Sequence, residues 1–309
     1  MKTFVRKLTT KPVWWMETRR SYPIRDSWTR LPSLPAANGP ITFALLTVPG
    51  TFNDALWAAW SWLRFLGEAV HLELYLDGTP TDEMRRSLEK LLPGSSLFEA
   101  ADVIRATGGF SATLDSFIRD YPLGRKLGLY FALQSRGRFL YSDSDVLAFN
   151  RPTELLQILT TPNGGAHLLE ENEGLYSPEI VERAQRIGVR PVKSLNAGLV
   201  LVPQNSLSLA MTDEFLRDWQ TLPYNWFFEQ TTLACLLSTA SITPLPRDRY
   251  VVSLARQFHW QPDVDYTRIA ARHFATPTRH VMYSRGLPWL LRNQEQTPGI
   301  HSSGTAQPR

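Results

Sequence analysis

The sequence predicts an α/β fold with a mostly parallel central sheet flanked by helices. Three observations carry this. Residues 41–48 form a continuous apolar run with β-branched members, stopped by Pro49-Gly50, which is the pattern of a buried strand. Residues 53–67 then place Leu56, Trp57, Trp60, Leu63 and Phe65-Leu66 at helical spacing, with Gly67 as a stop. A second strand and helix repeat the order directly afterwards, and such alternation argues for a doubly wound parallel sheet.

The elements follow in order. Residues 1–40 carry Pro12, Pro23, Pro32, Pro35 and Pro40 without a clear period and read as an irregular extension. Its tryptophans, Trp14, Trp15 and Trp28, read as part of a loosely packed arm, with an interfacial membrane anchor as the alternative. The second strand spans 71–76 and is closed by Asp77-Gly78. Thr81 and Asp82 are both suitable N-caps for a helix that ends near Leu92, before Pro93-Gly94. Residues 94–120 show no clear pattern. Residues 121–137 read as a helix with Leu127, Tyr130, Phe131 and Leu133 on its apolar face. It leads into a short apolar strand, Phe139-Leu140-Tyr141, that ends in acids. Beyond it come a helix at 153–159, a strand at 166–169, a helix at 178–187 stopped by Gly188, and a strand at 199–202 introduced by Asn196-Ala197-Gly198. Helices are expected at about 205–219 and 226–239, then a shorter βα-like tail to Trp289. Residues 41–152 and 153–292 thus form two halves of one domain, and 293–309 read as a disordered tail.

Composition excludes several classes. The 309 residues are 43% apolar and 20% charged, ordinary for a globular protein with a sizeable core. The single cysteine, Cys235, cannot form an intramolecular disulfide. It lies in an apolar stretch and reads as a core residue, which fits a reducing, cytoplasmic compartment. No stretch reaches the ~18 apolar residues of a membrane span, and the basic start lacks the apolar stretch of a secretory signal. The net charge of +4 suits an anionic small substrate or an anionic membrane surface. No Lys/Arg block is dense enough for nucleic acid.

The chemistry centres on Asp143 and Asp145. They emerge where the apolar strand ends, and in open α/β sheets ligands bind at that edge. Residues two apart on a strand point the same way, so both carboxylates can address one divalent cation holding phosphate oxygens. The competing reading is a strand-to-loop junction whose aspartates cap the next segment.

The block from Arg138 to Asn150 resembles the D-x-D region of GT-A glycosyltransferases, most closely the retaining lipopolysaccharide galactosyl/glucosyltransferase and glycogenin family. Preceding it, the helix supplies Lys126-Leu127-Gly128-Leu129-Tyr130. Downstream, Asn196-Ala197-Gly198 looks like the family's Asn-(Ala/Ser)-Gly motif, and Glu229-Gln230-Thr231 stands where the family has Asp-Gln-Asp. His273-Phe274 resembles its His-(Phe/Tyr) pair, and Gly286-Leu287-Pro288-Trp289 its Gly-x-Lys-Pro-Trp element. These occur in the family order over roughly residues 41–290.

The resemblance implies a Rossmann-like GT-A fold and a metal-dependent transfer of a hexose from a nucleotide sugar, a UDP-sugar above all, with retention, to a glycan or lipid-linked acceptor. It implies metal ligation by Asp143, Asp145 and His273, with His280 as the rival third ligand. A histidine beside two carboxylates favours Mn²⁺ over Mg²⁺. Lys126, with Arg125 as substitute, and Ser144 are expected to hold the donor. Asn196 would bond the donor sugar, and Gly198 would allow close backbone approach. Glu229 would meet the sugar hydroxyls and Gln230 the region of the anomeric carbon, and Glu170 or Glu171 would position sugar or acceptor. Fold position places Thr47 and Asp77 near the nucleoside. The sequence departs from the family at Gly124, Glu229, Thr231 and Leu287, where arginine, aspartate, aspartate and lysine are usual. Two alternatives remain: a haloacid dehalogenase-like phosphatase using Asp143 and Asp145 as nucleophile and general acid/base, and a non-catalytic nucleotide- or glycan-binding protein of decayed transferase fold.

Overall fold

The computed structural model describes Met16 and residues 19–161, 165–171, 175–252 and 262–294. Trp14, Trp15 and nearly all of the expected tail lie outside the described residues.

The first half alternates as expected. Strand β1 (Ile41–Thr47) leads to helix α1 (Phe52–Leu66), and β2 (Val70–Leu76) to α2 (Asp82–Leu91), which is N-capped by the Thr81 hydroxyl. The uncertain stretch resolves into β3 (Ser96–Glu99), α3 (Ala100–Arg105) and α4 (Ala112–Asp120). Helix α5 (Gly124–Gln134) then delivers the chain into β4 (Phe139–Asp143), β5 (Val146–Ala148) and α6 (Thr153–Thr160). The second half contains β6 (Ala166–Glu170), α7 (Pro178–Arg186), β7 (Leu195–Val202), α8 (Leu209–Leu216), α9 (Phe228–Leu237), β8 (Ile242–Pro244), β9 (Tyr250–Val252) and β10 (Ala271–His273). It closes with α10 (Arg279–Val281), a π turn (Met282–Gly286) and α11 (Leu287–Arg292).

The main sheet has the strand order β3-β2-β1-β4-β7-β6-β8. All neighbours are parallel except β7, which runs antiparallel to both β4 and β6. A small sheet, β5-β10-β9, stands beside it. The core is divided between the two faces of the main sheet. One side holds Trp57, Trp60 and Trp62 of α1, and the other holds Phe117, Tyr130 and Phe215. Cys235 is buried there as expected. Among the described residues no helix is long and apolar enough to cross a membrane.

Two expectations are corrected. The strand at 199–202 begins earlier, at Leu195, so Asn196-Ala197-Gly198 lies within β7 rather than in a turn before it. Part of the N-terminal extension is regular: Tyr22–Arg30 forms a 3-10 helix packed on α1. Trp28 is partly buried against the core and not on a loose arm. The Arg25 side chain is buried with it, and the Trp57 and Trp60 indoles donate to the Arg25 and Pro32 carbonyls at 2.9 Å each. A low-hydrophobicity, proline-rich segment gives no periodic signal because its partners are side chains distant in sequence.

Candidate metal and diphosphate site

The chain changes sheets at Asp143-Ser144-Asp145. Asp143 ends β4 in the main sheet, and Val146 opens β5 in the small one. Strand β10 pairs antiparallel with β5, placing His273 in register with Val146, and the Phe274 amide donates to the Asp145 carbonyl at 2.8 Å. That register brings a histidine more than a hundred residues away to the acidic turn. Among the described residues, Asp143, Asp145 and His273 each offer a ligand atom within 4.8 Å of the others. His280, the rival ligand, is fully buried outside this group.

Asn196 orients the histidine. Its Oδ1 accepts from His273 Nδ1 at 2.8 Å and from the Gly198 amide at 2.9 Å. Nε2 is thereby left facing Asp145 Oδ1 at 3.2 Å, the arrangement in which an outer partner fixes the tautomer of a metal-binding imidazole. The donor set therefore fits a divalent ion. Gly198 makes room for this packing, and it also lines the cavity at this site. A Cβ there would lie 2.6 Å from His273 Nδ1 and Cε1.

An irregularity in β7 supplies the rest. Its register with β6 jumps from Val200 to Asn196, which frees backbone groups from that ladder. Side chains take them up. Gln230 Oε1 accepts from the Ala197 amide at 3.2 Å, and Lys126 Nζ donates to the Ala197 carbonyl at 2.9 Å. The same ammonium lies 3.0 Å from Asp143 Oδ1 and 3.9 Å from Glu229 Oε1. Lys126 is thus buried between carboxylates, not on a solvated helix face. Burial pulls its pKa down, but Asp143 and Glu229 outweigh that and hold it above its ordinary value. The Tyr141 hydroxyl also donates to Asp143 Oδ1, at 2.8 Å.

The electrostatics divide the acids. Burial pushes the Asp145 carboxyl up, yet Arg279 and His273 together pull it well below the usual carboxylate range. Burial pushes Glu229 up to about 7, against the pull of Lys126, and it raises Glu171, against a hydrogen bond from Asn196. Among the described residues, Glu229 Oε1 and Glu171 Oε2 are buried without hydrogen-bond partners. An unpaired buried acceptor costs about 1–3 kcal/mol, so each is a standing site for a donor group.

A cavity of about 250 Å³ joins these groups: Lys126, Asp143, Ser144, Asp145, Glu171, Asn196, Gly198, Glu229, Gln230 and His273 all line it. Of the two glutamates at the end of β6, Glu171 is the one at the cavity, while Glu170 pairs with Arg247 at 2.7 Å. Two expected residues do not line it. Asp77 pairs with Arg125 at 2.6 Å, and the Thr47 hydroxyl bonds that of Thr51 at 2.9 Å. The departures have structural reasons. At Gly124 a Cβ would sit 2.0 Å from the Phe117 carbonyl oxygen, so no arginine fits. Thr231 accepts from the Ser177 amide at 2.8 Å and is fully buried. Leu287 is core.

Sequence reasoning missed Arg279, which donates to Asp145 Oδ2, and the lining aromatics Trp226 and Phe227. The signal for Arg279 was its place beside His280, six residues after His273. No apolar period or motif set it apart.

No protein-family model and no curated protein matches the chain. Solved structures do. The apo structure of WbbM, a bifunctional glycosyltransferase, superposes with a TM-score of 0.52 at 15% identity over 86% of this chain; the chain spans only 51% of that protein's length. The galactosyltransferase LgtC, in complex with donor and acceptor sugar analogues, gives a TM-score of 0.52 at 14% identity, over 87% of this chain and 98% of the other. The likeness is one of fold: the chain has the mixed α/β architecture of GT-A glycosyltransferases.

Proposed function

We propose that this chain with a GT-A glycosyltransferase fold is a metal-dependent hexosyltransferase, taking a nucleotide sugar, with UDP as its nucleotide, and a glycan or lipid-linked acceptor. The observation that carries this is the convergence of Asp143, Asp145 and an Asn196-oriented His273 at the carboxyl edge of β4. Those three would hold the ion, Mn²⁺ in preference to Mg²⁺. When bound, such an ion neutralises a diphosphate and stabilises the departing nucleoside diphosphate.

The chain's own residues supply the remaining roles. Arg279, whose guanidinium is already on Asp145, offers a second positive group to the phosphates in place of the lysine that Leu287 replaces. Lys126 fixes Asp143, and Ser144 offers its backbone and hydroxyl beside it. The oxygens of Glu229 and Glu171 that lack a hydrogen-bond donor among the described residues accept donor-sugar hydroxyls, Glu229 in its ionised form. Asn196 acts on the sugar through His273 and Glu171. Gln230, pinned by the Ala197 amide and the Leu175 carbonyl, keeps its amide dipole at the reacting carbon. Thr47, ending β1, and Asp77, directly after β2, form the nucleoside side. Retention follows from same-face attack by the acceptor hydroxyl, with its proton passing to the departing phosphate.

Calorimetry with UDP and Mn²⁺ tests the reading. Metal-dependent binding by the wild type, lost in Asp143→Ala and Asp145→Ala, supports it; equal binding in all three removes it. The phosphatase alternative gains no support from the fold: in that family the acidic motif follows the first strand, whereas Asp143 ends the fourth among the described residues.

A further inference from the structure

Arg279 is linked to the N-terminal 3-10 segment through one buried carboxylate. Tyr283, one helical turn beyond Arg279, donates to Asp54 Oδ2 at 2.9 Å. Asp54 is fully buried in α1, and its other oxygen accepts from Arg25 Nε at 2.6 Å. Arg25 also donates to the Gly50 carbonyl at 2.7 Å and lies 4.3 Å over the Tyr22 ring. Tyr22 in turn packs edge-on against Tyr283 at 5.7 Å. The N-terminal segment and the π turn therefore close around Asp54.

Two arginines stand by that carboxylate. Arg25 touches it, and Arg279 lies one helical turn before the Tyr283 hydroxyl that also bonds it. Arg279 has one guanidinium nitrogen on Asp145, while its buried Nε has no hydrogen-bond partner among the described residues. It therefore has spare donor capacity. With Arg25 gone, Asp54 would keep only the Tyr283 hydroxyl among the described residues, and a buried carboxylate without its cation is costly. Arg279 is the cation able to answer, at the expense of Asp145.

We propose that Arg25 is a positioning residue for the site: by saturating Asp54 it keeps Arg279 on Asp145 and available to a donor diphosphate. The second clause rests on the proposed function; the first does not. The consequence has two opposite signs. Moving Arg279 towards Asp54 frees an oxygen of Asp145 for a metal ion, and it removes a cation from the phosphates.

The test titrates Mn²⁺ alone, and UDP in saturating Mn²⁺, into the full chain and its variants. In Arg25→Met, Mn²⁺ alone is expected to bind about 10-fold tighter and UDP about 10-fold weaker, the scale of outer-partner effects on a metal site. Arg25→Lys retains wild-type behaviour. Arg25→Met/Asp54→Asn returns both affinities towards wild type, since no carboxylate remains to draw Arg279 away. Tyr283→Phe moves both in the same directions by less, and it carries the test if Arg25→Met does not fold. A purely structural role weakens both ligands together, and that result overturns the proposal. So does unchanged Mn²⁺ affinity in both Arg25→Met and Tyr283→Phe, whether or not UDP binds. Failure of the wild type to bind UDP sinks the donor assignment alone.

Discussion

Gly198→Ala is expected to damage the metal site through a single methyl group. The backbone of Gly198 does not require glycine, because its φ is not in the left-handed region. The obstacle is His273, whose Nδ1 and Cε1 lie 2.6 Å from the position of a Cβ. Reaching ordinary contact near 3.5 Å requires a shift of roughly 0.9 Å. The ring is held at both nitrogens, by Asn196 at 2.8 Å and Asp145 at 3.2 Å. A shift of that size carries these contacts beyond hydrogen-bond range. Overpacking costs about 1–3 kcal/mol, and the weakened hydrogen bonds add about 1 kcal/mol. The expected destabilisation is therefore roughly 2–4 kcal/mol by urea denaturation. Metal–ligand distances tolerate only about 0.2 Å, so Mn²⁺ affinity should fall at least about 10-fold. The decisive control is the cycle with His273→Ala. Without the ring, the remaining close neighbour is Asn196 Oδ1 at 2.9 Å, and Gly198→Ala should then cost less than about 1 kcal/mol. An equal cost in both backgrounds would refute the claim that His273 dictates glycine here.

Three further outcomes are expected. Glu229 has its folded-state pKa raised to about 7 from an ordinary 4.5, so its stabilising share is complete below the unfolded value and is lost as pH rises through 7. Glu229→Gln should therefore gain stability over wild type between pH 4.5 and 7, by on the order of 3 kcal/mol at the plateau; a difference independent of pH in parallel denaturation curves counts against it. Lys126→Met leaves Asp143 and Glu229 without their cation. It should cost roughly 3 kcal/mol, near the lower end for a broken buried pair because Asp143 is 28% exposed, and added Mn²⁺ should recover part of the loss. Asn196→Ala removes the acceptor that sets the His273 tautomer, and Mn²⁺ affinity should drop about 10–100-fold; unchanged affinity would mean that His273 is oriented by other contacts.

Much of the fold was legible because strands and helices announce themselves by local period. The runs at 41–48 and 71–76 and the helix at 53–67 needed no distant information. Asp143 and Asp145 were legible for the same reason: acids ending an apolar strand mark a sheet edge. The β7 irregularity was not, because Asn196-Ala197-Gly198 looks locally like a turn and lies in strand only because Leu195 and Asn196 pair with β6 while Leu199–Val202 pair with β4. The 3-10 segment at Tyr22–Arg30 was hidden because its stability comes from the Arg25–Asp54 pair and the indoles of α1.

The sequence by itself determined the α/β architecture, the place of the acidic pair and the residue types able to serve it. Tertiary structure decided which of them meet. It chose His273 over His280 through the β5–β10 register, and Glu171 over Glu170 at the end of β6. It brought Arg279 to Asp145 and set Asp77 against Arg125. The physical reason is that period and propensity act over a few neighbouring residues, whereas a site of this kind is assembled by strand register and charge pairing between segments that only folding brings together.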